Sequence, residues 1–258
     1  MDLRRILDGF ANGALSMDEV EKQVSIHSIE KIGEMAKLDV GREVRRGVPE
    51  IIFAERKEYR DVIRISSAAV RRNGQAVVSR IKKEQVGRVA AALRKKGMAV
   101  EIGRNSTTLL ASEKPIRHGR DVSPLIGIMA AGTSDIGVAE EARLVAEAMG
   151  CGTVVSYDVG IAGIHRTFPA LKEMIAKRVG AIVVVAGMEG ALASVVASMV
   201  DVPVVGVPTS VGYGFGGDGV AALASMLQSC TLGLAVVNID NGVGAGAYAA
   251  SIAKKISR

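Results

Sequence analysis

Five short apolar runs recur along the second half of the chain, each followed by a glycine or polar turn and then by a segment with helical periodicity. The runs are PLIGIMAAG, GTVVSYD, AIVVVAG, VPVVGVP and LGLAVVNID. Apolar runs this continuous are typical of parallel strands that are buried on both faces. The helical segments between them indicate right-handed βαβ crossovers, so the pattern predicts an α/β fold with a doubly wound, five-stranded parallel sheet.

The first half has a less regular pattern, which predicts a smaller α+β domain. The opening segment, YRDVIRISSAAVRR and KEQVGRVAAALRKK have helical character, while EIIFAE, QAVVSRI and MAVEIG have strand character. Ser16 and Glu19 have the spacing of a capping box at a helix start. The polar stretch EKPIRHGRDVSP is the best linker candidate, so we place the boundary near Asp121, between domains 1–120 and 121–258.

The charge of the chain is divided unevenly between these domains. Residues 1–120 contain 25 Lys and Arg against 16 Asp and Glu, whereas residues 121–258 contain 8 against 11. This asymmetry is expected of a first domain that attracts an anion, although solvated basic helix faces would also explain it. No zinc-finger or RNA-recognition motif accompanies the charge, so we do not expect a nucleic-acid partner.

The sequence also bears on where the protein works. No apolar run approaches the roughly 20 residues of a membrane helix, and the opening MDLRRILDGF lacks the apolar stretch of a signal peptide. We therefore expect a cytoplasmic protein without membrane contact. With two cysteines only, Cys151 and Cys230, the chain has neither a disulfide framework nor a cysteine-only metal site.

Doubly wound sheets bind ligands beyond the carboxyl ends of their strands, so the loops at those ends hold the candidate residues. After the first strand, Gly132, Thr133, Ser134 and Asp135 stand at a helix start, where backbone N–H groups face an anion. The structural alternative is that Thr133 or Ser134 simply caps the helix. The turn is neither the glycine fingerprint of dinucleotide folds nor a P-loop.

The next two loops add charged side chains. The second strand leads to Tyr157 and Asp158 and then, through a glycine-rich turn, to His165 and Arg166. This pair could hold a carboxylate or phosphate, or form an ordinary surface pair. Glu189 stands between glycines after the third strand. An isolated carboxylate among apolar residues is costly unless its charge or proton is used, which favours function over interaction with a helix dipole.

The fourth strand ends in PTSVGYGFGGDG, which contains five glycines within eleven residues. Such a loop is either mobile or wrapped closely around a ligand, with Thr209, Ser210 and Tyr213 as candidate contacts. The following helix ends near Cys230, ahead of the fifth strand, which leads to Asp240. Because the carboxyl end of a helix does not lower a thiol pKa, the local sequence predicts that Cys230 is buried packing.

Taken together, GTSD, VVSYDVGIAGIHR, VVVAGMEGALASVVA, VPVVGVPTSVGYG and SCTLGLAVVNIDNG resemble the LarB family, which makes the precursor of the nickel-pincer nucleotide cofactor. The basic segment LDVGREVRRGVPEIIFAERK resembles the amino-terminal domain of the same family. The second half is more distantly similar to the aminoimidazole ribonucleotide carboxylase/mutase of purine synthesis, so the expected sheet is PurE-like. In this sequence the SAHR turn of that enzyme carries the insertion YDVGIAGI before His165 and Arg166.

The LarB resemblance implies carboxylation of nicotinic acid adenine dinucleotide at carbon 5 of its pyridinium ring, with carbon dioxide or bicarbonate as co-substrate. It also implies hydrolysis of the phosphoanhydride, which releases AMP and leaves pyridinium-3,5-biscarboxylic acid mononucleotide. The resemblance places the nucleophile at Cys230, against the local interpretation, and an acid/base carboxylate at Glu189. Cys151 lies at a helix-to-strand turn without a neighbouring charge that would activate its thiol, and it is expected to be inert.

Further expectations follow for ligands and partners. The substrate phosphates are expected to contact Thr133, Ser134 and the basic first domain, through Arg42, Arg45 and Arg46. Magnesium is the expected cation for anhydride cleavage, with Asp135, Asp158 and Asp240 as unranked candidates to hold it or to orient water. Both resembled families assemble into rings or octamers, so we expect a homo-oligomer with shared sites. The alternative functions are a purine-pathway carboxylase or mutase and a non-catalytic nucleotide-binding protein.

Overall fold

The structure is a computed structural model that describes residues 3–25, 29–32, 36–39, 41–116 and 123–257. The domain boundary predicted at Asp121 lies outside the described residues. Two larger sheets organise the described part of the chain, one in each half. Within that part, no helix is both long and apolar enough to cross a membrane.

The amino-terminal segment consists of short helices and a two-stranded antiparallel pair. In chain order these are α1 (Leu3–Ala11), α2 (Met17–Ser25), β1 (Ile29–Ile32), β2 (Ala36–Asp39) and α3 (Arg42–Arg46). The predicted capping box is confirmed at α2, where the Ser16 N–H donates to Glu19 at 2.8 Å and the Glu19 N–H donates to the Ser16 hydroxyl at 3.3 Å. The pattern does not predict β1, β2 or α3, because charged, glycine-containing sequence is typical of turns.

A four-stranded mixed sheet forms the rest of the first half. Its elements are β3 (Ile51–Phe53), α4 (Tyr59–Asn73), β4 (Gln75–Ser79), α5 (Val86–Lys95), β5 (Ala99–Ile102) and β6 (Leu109–Ser112). The strand order is β3-β4-β6-β5, with β3 parallel to β4 and the other pairs antiparallel. Helices α4 and α5 cover one face, where Val70 and Leu93 are fully buried. Strand β6 is the one element of this sheet that the hydrophobic pattern misses.

The second half forms the predicted five-stranded parallel sheet. Its elements are β7 (Leu125–Ala130), α6 (Ile136–Ala148), β8 (Gly152–Ser156), α7 (Thr167–Ala176), β9 (Ile182–Ala186), α8 (Ala191–Ala197), β10 (Val204–Pro208), α9 (Val220–Leu227), β11 (Leu234–Val236) and α10 (Gly242–Ile256). The strand order is β11-β10-β9-β7-β8, and every pair is parallel. The predicted α/β class and all five predicted strands are confirmed.

Helix α6 packs between the two large sheets and joins the domains. Val77 and Leu110 of the smaller sheet belong to the same buried core as Val145 of α6. On the polar side of this joint, the hydroxyls of Ser79 and Thr108 donate to the carboxylate of Glu141, which is 7% exposed. The loops of the smaller sheet are therefore held against the carboxyl ends of the larger one.

Candidate active site

Two adjacent cavities open at the carboxyl ends of the parallel strands. The first, which we call the crevice cavity, has a volume of about 350 Å³ and lies among the turns that follow β7, β8 and β9. The second, the interdomain cavity, has a volume of about 670 Å³ and lies between the loops of the smaller sheet and the turns after β7, β10 and β11. Ser134 and Val211 line both cavities, so a ligand could extend from one into the other.

The turn after β7 holds a buried carboxylate beneath an exposed helix start. Thr133 and Ser134 are exposed and line the crevice cavity, while Asp135 is 4% exposed. Asp135 accepts the Gly132 N–H at 2.8 Å and the Thr209 hydroxyl at 2.6 Å. Burial raises the pKa of Asp135, while these two hydrogen bonds oppose the rise. The carboxyl thus lies in the cavity wall as a group that can titrate above its usual range.

The turn after β9 presents Glu189 at the other side of the crevice cavity, where its side chain is exposed. Two backbone features fix this turn. A Cβ atom on Gly187 would lie 2.1 Å from the carbonyl oxygen of Val211, so only glycine fits. Met188 has a φ of +53°, which non-glycine residues adopt only rarely. The position of Glu189 is therefore determined by close backbone packing.

The turn after β8 contributes Asp158 to the crevice cavity. Its carboxylate is ion-paired with Arg166, and His165 is exposed and lines neither cavity. The hydroxyl of Tyr157 donates to Glu140, and burial together with this bond raises the pKa of Tyr157. Of the four residues predicted in this loop, the structure brings only Asp158 to a cavity. Tyr157 is bonded to Glu140, Arg166 is paired with Asp158, and His165 is exposed.

The turns after β10 and β11 supply the remaining predicted residues. Thr209 is fully buried and supports Asp135, so it has no surface to offer a ligand. The Ser210 N–H donates to Asp240 at 2.9 Å, and both residues line the interdomain cavity. Tyr213 is 82% exposed and lines neither cavity. The structure therefore places Ser210 and Asp240 beside a ligand site and Thr209 behind it.

The smaller domain provides one wall of the interdomain cavity through Arg80, Asn105, Ser106 and Thr107. Arg80 directly follows β4, and the Ile81 N–H donates to the Thr107 carbonyl at 3.0 Å. Sequence reasoning missed these four residues. The available signal was the position of Arg80 in QAVVSRI, immediately after a predicted buried strand.

Unusual backbone conformations are concentrated around these cavities. Among the described residues, eight non-glycine residues have a positive φ. Five of them line one of the two cavities: Arg80, Asn105, Asp158, Met188 and Asp240. A sparsely populated backbone conformation costs free energy, and the surrounding structure has to maintain it. Residues in such conformations cluster at ligand sites, where the conformation serves binding and not stability. This concentration supports both cavities as parts of one functional site.

Comparison with known protein families assigns both halves. The family model described as AIR carboxylase matches residues 125–257, and the model described as the LarB/PurE-like N-terminal domain matches residues 29–111. This chain belongs to the LarB family. Its five-stranded sheet is PurE-like, as predicted, and its domains are those of carboxylase- and mutase-type enzymes.

Two similar proteins extend this assignment. An uncharacterized protein of Methanocaldococcus jannaschii is 47% identical over 258 residues, covering 98% of this chain and 97% of that one. The N5-carboxyaminoimidazole ribonucleotide mutase of Thermotoga maritima is 33% identical over 133 residues, covering 50% of this chain and 74% of that one. The LarB-type amino-terminal domain distinguishes this chain from a protein that matches the mutase alone.

Within one copy, the structure does not bring together the two catalytic residues that the LarB resemblance implies. Glu189 follows the carboxyl end of β9, whereas Cys230 lies between α9 and the amino end of β11. Ser229 and Thr231, on either side of Cys230, are hydrogen-bonded to Ser194 of α8, so Cys230 lies beside that helix and outside the turn that carries Glu189. Cys230 is exposed, so the local prediction of buried packing is wrong, and it lines neither cavity.

The other cysteine and the predicted basic residues also have clear positions. Cys151 is buried, and this burial raises its thiol pKa, which disfavours a reactive thiolate. Arg42, Arg45 and Arg46 lie on α3 and line neither cavity. Arg80 is the basic side chain that the structure places in the interdomain cavity instead.

Among the residues that the structure describes, the side chains do not form a preformed magnesium site. Within the described part of the chain, no group of three His, Cys, Asp or Glu side chains is placed to hold a metal ion. The predicted candidates Asp135, Asp158 and Asp240 each already accept a hydrogen bond or an ion pair from the protein. A magnesium ion here would therefore need phosphate oxygens of the substrate as ligands.

Proposed function

We propose that this LarB-family protein carboxylates nicotinic acid adenine dinucleotide at carbon 5 of the pyridinium ring, using carbon dioxide or bicarbonate. It also hydrolyses the phosphoanhydride, which yields AMP and pyridinium-3,5-biscarboxylic acid mononucleotide. The observation that carries the proposal is the charge of the crevice cavity. Asp135, Asp158 and Glu189 line it, and none of its described lining residues is Lys, Arg or His. Asp158 is ion-paired with Arg166, which does not itself line the cavity. A lining whose described charged residues are all carboxylates favours a cationic ring.

The size of the site supports a dinucleotide. The crevice cavity accommodates one nucleotide half, and the adjoining interdomain cavity, which the LarB-type domain completes, offers space for the second. The ring carboxylate of the substrate would face the exposed helix start at Thr133 and Ser134, since backbone N–H groups and the helix dipole favour an anion there.

The proposed chemistry must first make an electron-poor ring nucleophilic. A thiolate adds to carbon 6, which breaks the aromaticity and leaves a dienamine whose electron-rich carbon 5 forms a bond to carbon dioxide. A base then removes the proton from carbon 5 and restores the dienamine. The nitrogen lone pair finally expels the thiolate, the carbon–sulfur electrons return to sulfur, and the pyridinium regains its aromaticity.

Glu189 is the base in this proposal, because its exposed carboxylate borders the crevice cavity on a rigid turn. The thiolate is Cys230 of a second copy, since Cys230 of one copy does not line the cavity that Glu189 borders. The surroundings of Cys230 favour such a contact: Leu227 and Leu232 are 67% and 90% exposed. Apolar surface of this kind is commonly covered by a partner. The protein is accordingly proposed to be a homo-oligomer, and an octamer remains a prediction.

Mass spectrometry of the reaction tests the proposal. The pure protein is incubated with nicotinic acid adenine dinucleotide and bicarbonate, with and without magnesium, and we expect AMP and a mononucleotide that carries one additional carboxyl group. The variant Cys151→Ala serves as the matched control for Cys230→Ala, and only the second should lose carboxylation. Absence of both products with the wild-type protein rejects the proposal. Full carboxylation by Cys230→Ala rejects the covalent route alone.

The similarity to the mutase supports a second candidate function, the carboxylation or mutase reaction of purine synthesis. It predicts turnover of an aminoimidazole ribonucleotide by the same sample and none of the dinucleotide. A non-catalytic nucleotide-binding protein would instead bind the dinucleotide in a calorimeter without chemical change and would tolerate Glu189→Gln. The cytoplasmic location and the absence of a nucleic-acid partner remain predictions.

A further inference from the structure

The interdomain cavity continues into a shallower hollow at the edge of the smaller sheet. This hollow has a volume of about 330 Å³ and is lined by Phe53, Arg80, Asn238, Ile239 and Asn241. Arg80, Asn238 and Ile239 also line the interdomain cavity. A continuous path, which we call the Phe53 groove, therefore runs from the interdomain cavity to the exposed ring of Phe53.

The end of the Phe53 groove has the chemistry of a nucleobase platform. Phe53 is the last residue of β3, and it is 45% exposed. The guanidinium carbon of Arg80 lies 5.9 Å from the centre of its ring. An exposed aromatic ring beside an arginine offers two flat surfaces, and nucleobases stack on both kinds of surface. The pairing of Arg80 with Glu55 is long, at 3.4 Å, so the guanidinium is not committed to it.

The middle of the path is polar and suits a ribose and its phosphate. Hydroxyl and amide side chains line it, from Asn105, Ser106, Thr107, Ser210 and Asn238. Asp240 lies there as well, oriented by the N–H of Ser210. A carboxylate is a common partner of ribose hydroxyls, and hydroxyl and amide groups can donate hydrogen bonds to a phosphate. The other carboxylate of this cavity, Glu141, already accepts hydrogen bonds from Ser79 and Thr108.

The wall that carries Arg80 is held in place before any ligand binds. Ser79 and Thr108 both donate to the buried carboxylate of Glu141 in α6. The Ile81 N–H, on the other side of Arg80, donates to the Thr107 carbonyl at 3.0 Å. Arg80 itself has a φ of +56°, which these flanking bonds maintain. A preformed wall reduces the ordering cost of binding.

We propose that the Phe53 groove is the subsite for the adenylate half of the dinucleotide, with the adenine stacked on Phe53 and Arg80 and the adenosine ribose beside Asp240. The identity of the complete substrate rests on the proposed function, whereas the adenylate subsite rests on the groove itself. Phe53 and Arg80 are then the residues by which the amino-terminal domain selects a dinucleotide over a mononucleotide.

Isothermal titration calorimetry with AMP and with nicotinic acid mononucleotide tests this subsite directly. Phe53→Leu keeps apolar volume but removes the ring, and Arg80→Gln removes the cation. Both should weaken AMP binding by about tenfold or more, the usual effect of losing a stacking partner, and leave the mononucleotide affinity unchanged. Arg88→Gln is the matched control, because Arg88 lies over another aromatic ring, Tyr59, at 4.7 Å and does not line the groove.

The outcomes separate this subsite from the proposed reaction. AMP binding that is absent from the wild-type protein, or unchanged in both Phe53→Leu and Arg80→Gln, overturns the subsite. Thermal unfolding of each variant shows that it is folded, and either variant alone suffices for the test. If AMP binds and both variants weaken it while the dinucleotide is never carboxylated, the subsite stands and the proposed function fails.

Discussion

The buried bond between Thr209 and Asp135 allows a prediction whose pH dependence can be worked out in advance. Thr209→Val preserves the shape of a fully buried side chain and removes the hydroxyl that donates to the Asp135 carboxylate at 2.6 Å. A hydrogen bond to a charged group contributes about 1.5–3 kcal/mol, so we expect the variant to unfold about 3–12 °C below the wild type near neutral pH.

The sign of the pH effect follows from the raised pKa of Asp135. Burial places that pKa above its unfolded value, so the folded protein binds more protons than the unfolded chain between these two values. Stability therefore falls as the pH rises through this window. Losing the Thr209 bond raises the folded pKa further. The cost of Thr209→Val should be complete above the folded pKa and smaller below it, where Asp135 is protonated.

Denaturant unfolding at about pH 7.5 and about pH 4 measures this difference. Thr167→Val is the matched control, because the Thr167 hydroxyl is equally buried but donates to the uncharged carbonyl of Val159 at 2.7 Å. Its cost should not depend on pH in this range. An equal cost of Thr209→Val at both pH values would show that Asp135 does not titrate as a buried carboxyl, and the reasoning would be refuted.

Three further predictions concern the site and its assembly. Iodoacetamide should alkylate the exposed Cys230 faster than the buried Cys151, and the dinucleotide should protect Cys230; equal rates by mass spectrometry would contradict this. Mixing inactive Cys230→Ala with inactive Glu189→Gln subunits should restore carboxylation, whereas sites formed within one copy would stay inactive. Gly187→Ala places a Cβ 2.1 Å from a carbonyl oxygen, so in denaturant unfolding it should lower the free energy of unfolding by about 1–3 kcal/mol. Gly87→Ala is the control: its Cβ meets no atom within 4 Å, so it should not destabilise the protein.

The hydrophobic pattern predicts the large sheet well, because each strand is buried on both faces and its apolar run has no polar interruption. Periodicity does not encode strand order, so the path β11-β10-β9-β7-β8 required the structure. The small strand β6 was missed for a different reason. Its four residues, Leu109–Ser112, are all buried and pair with two antiparallel neighbours, which is a tertiary property and not a local one.

The candidate site was predicted where the residues follow the strands of one domain, and it was missed where two domains meet. Asp135 and Glu189 are found in the crevice cavity because strand ends of a parallel sheet share one edge. Glu141 belongs to an ordinary amphipathic pattern in EEARLVAEAMG, yet it is buried between domains. The charge excess of the first half predicts an anion site, but only the structure shows that Arg80 lines the interdomain cavity.

The relative placement of the proposed nucleophile and base also cannot be predicted from the sequence. SCTLG and GMEG resemble the segments that carry a nucleophile and a base, but only the structure shows that Glu189 lines the crevice cavity and that Cys230 does not. For this reason the proposed covalent route uses Cys230 of a second copy.

The most direct test of the proposed function is carbon-13 NMR of the product formed from labelled bicarbonate and nicotinic acid adenine dinucleotide. We expect the label in one new carboxyl group attached to carbon 5 of the pyridinium ring, with AMP released alongside it. A product without label, or label attached at any other position, would contradict the proposal.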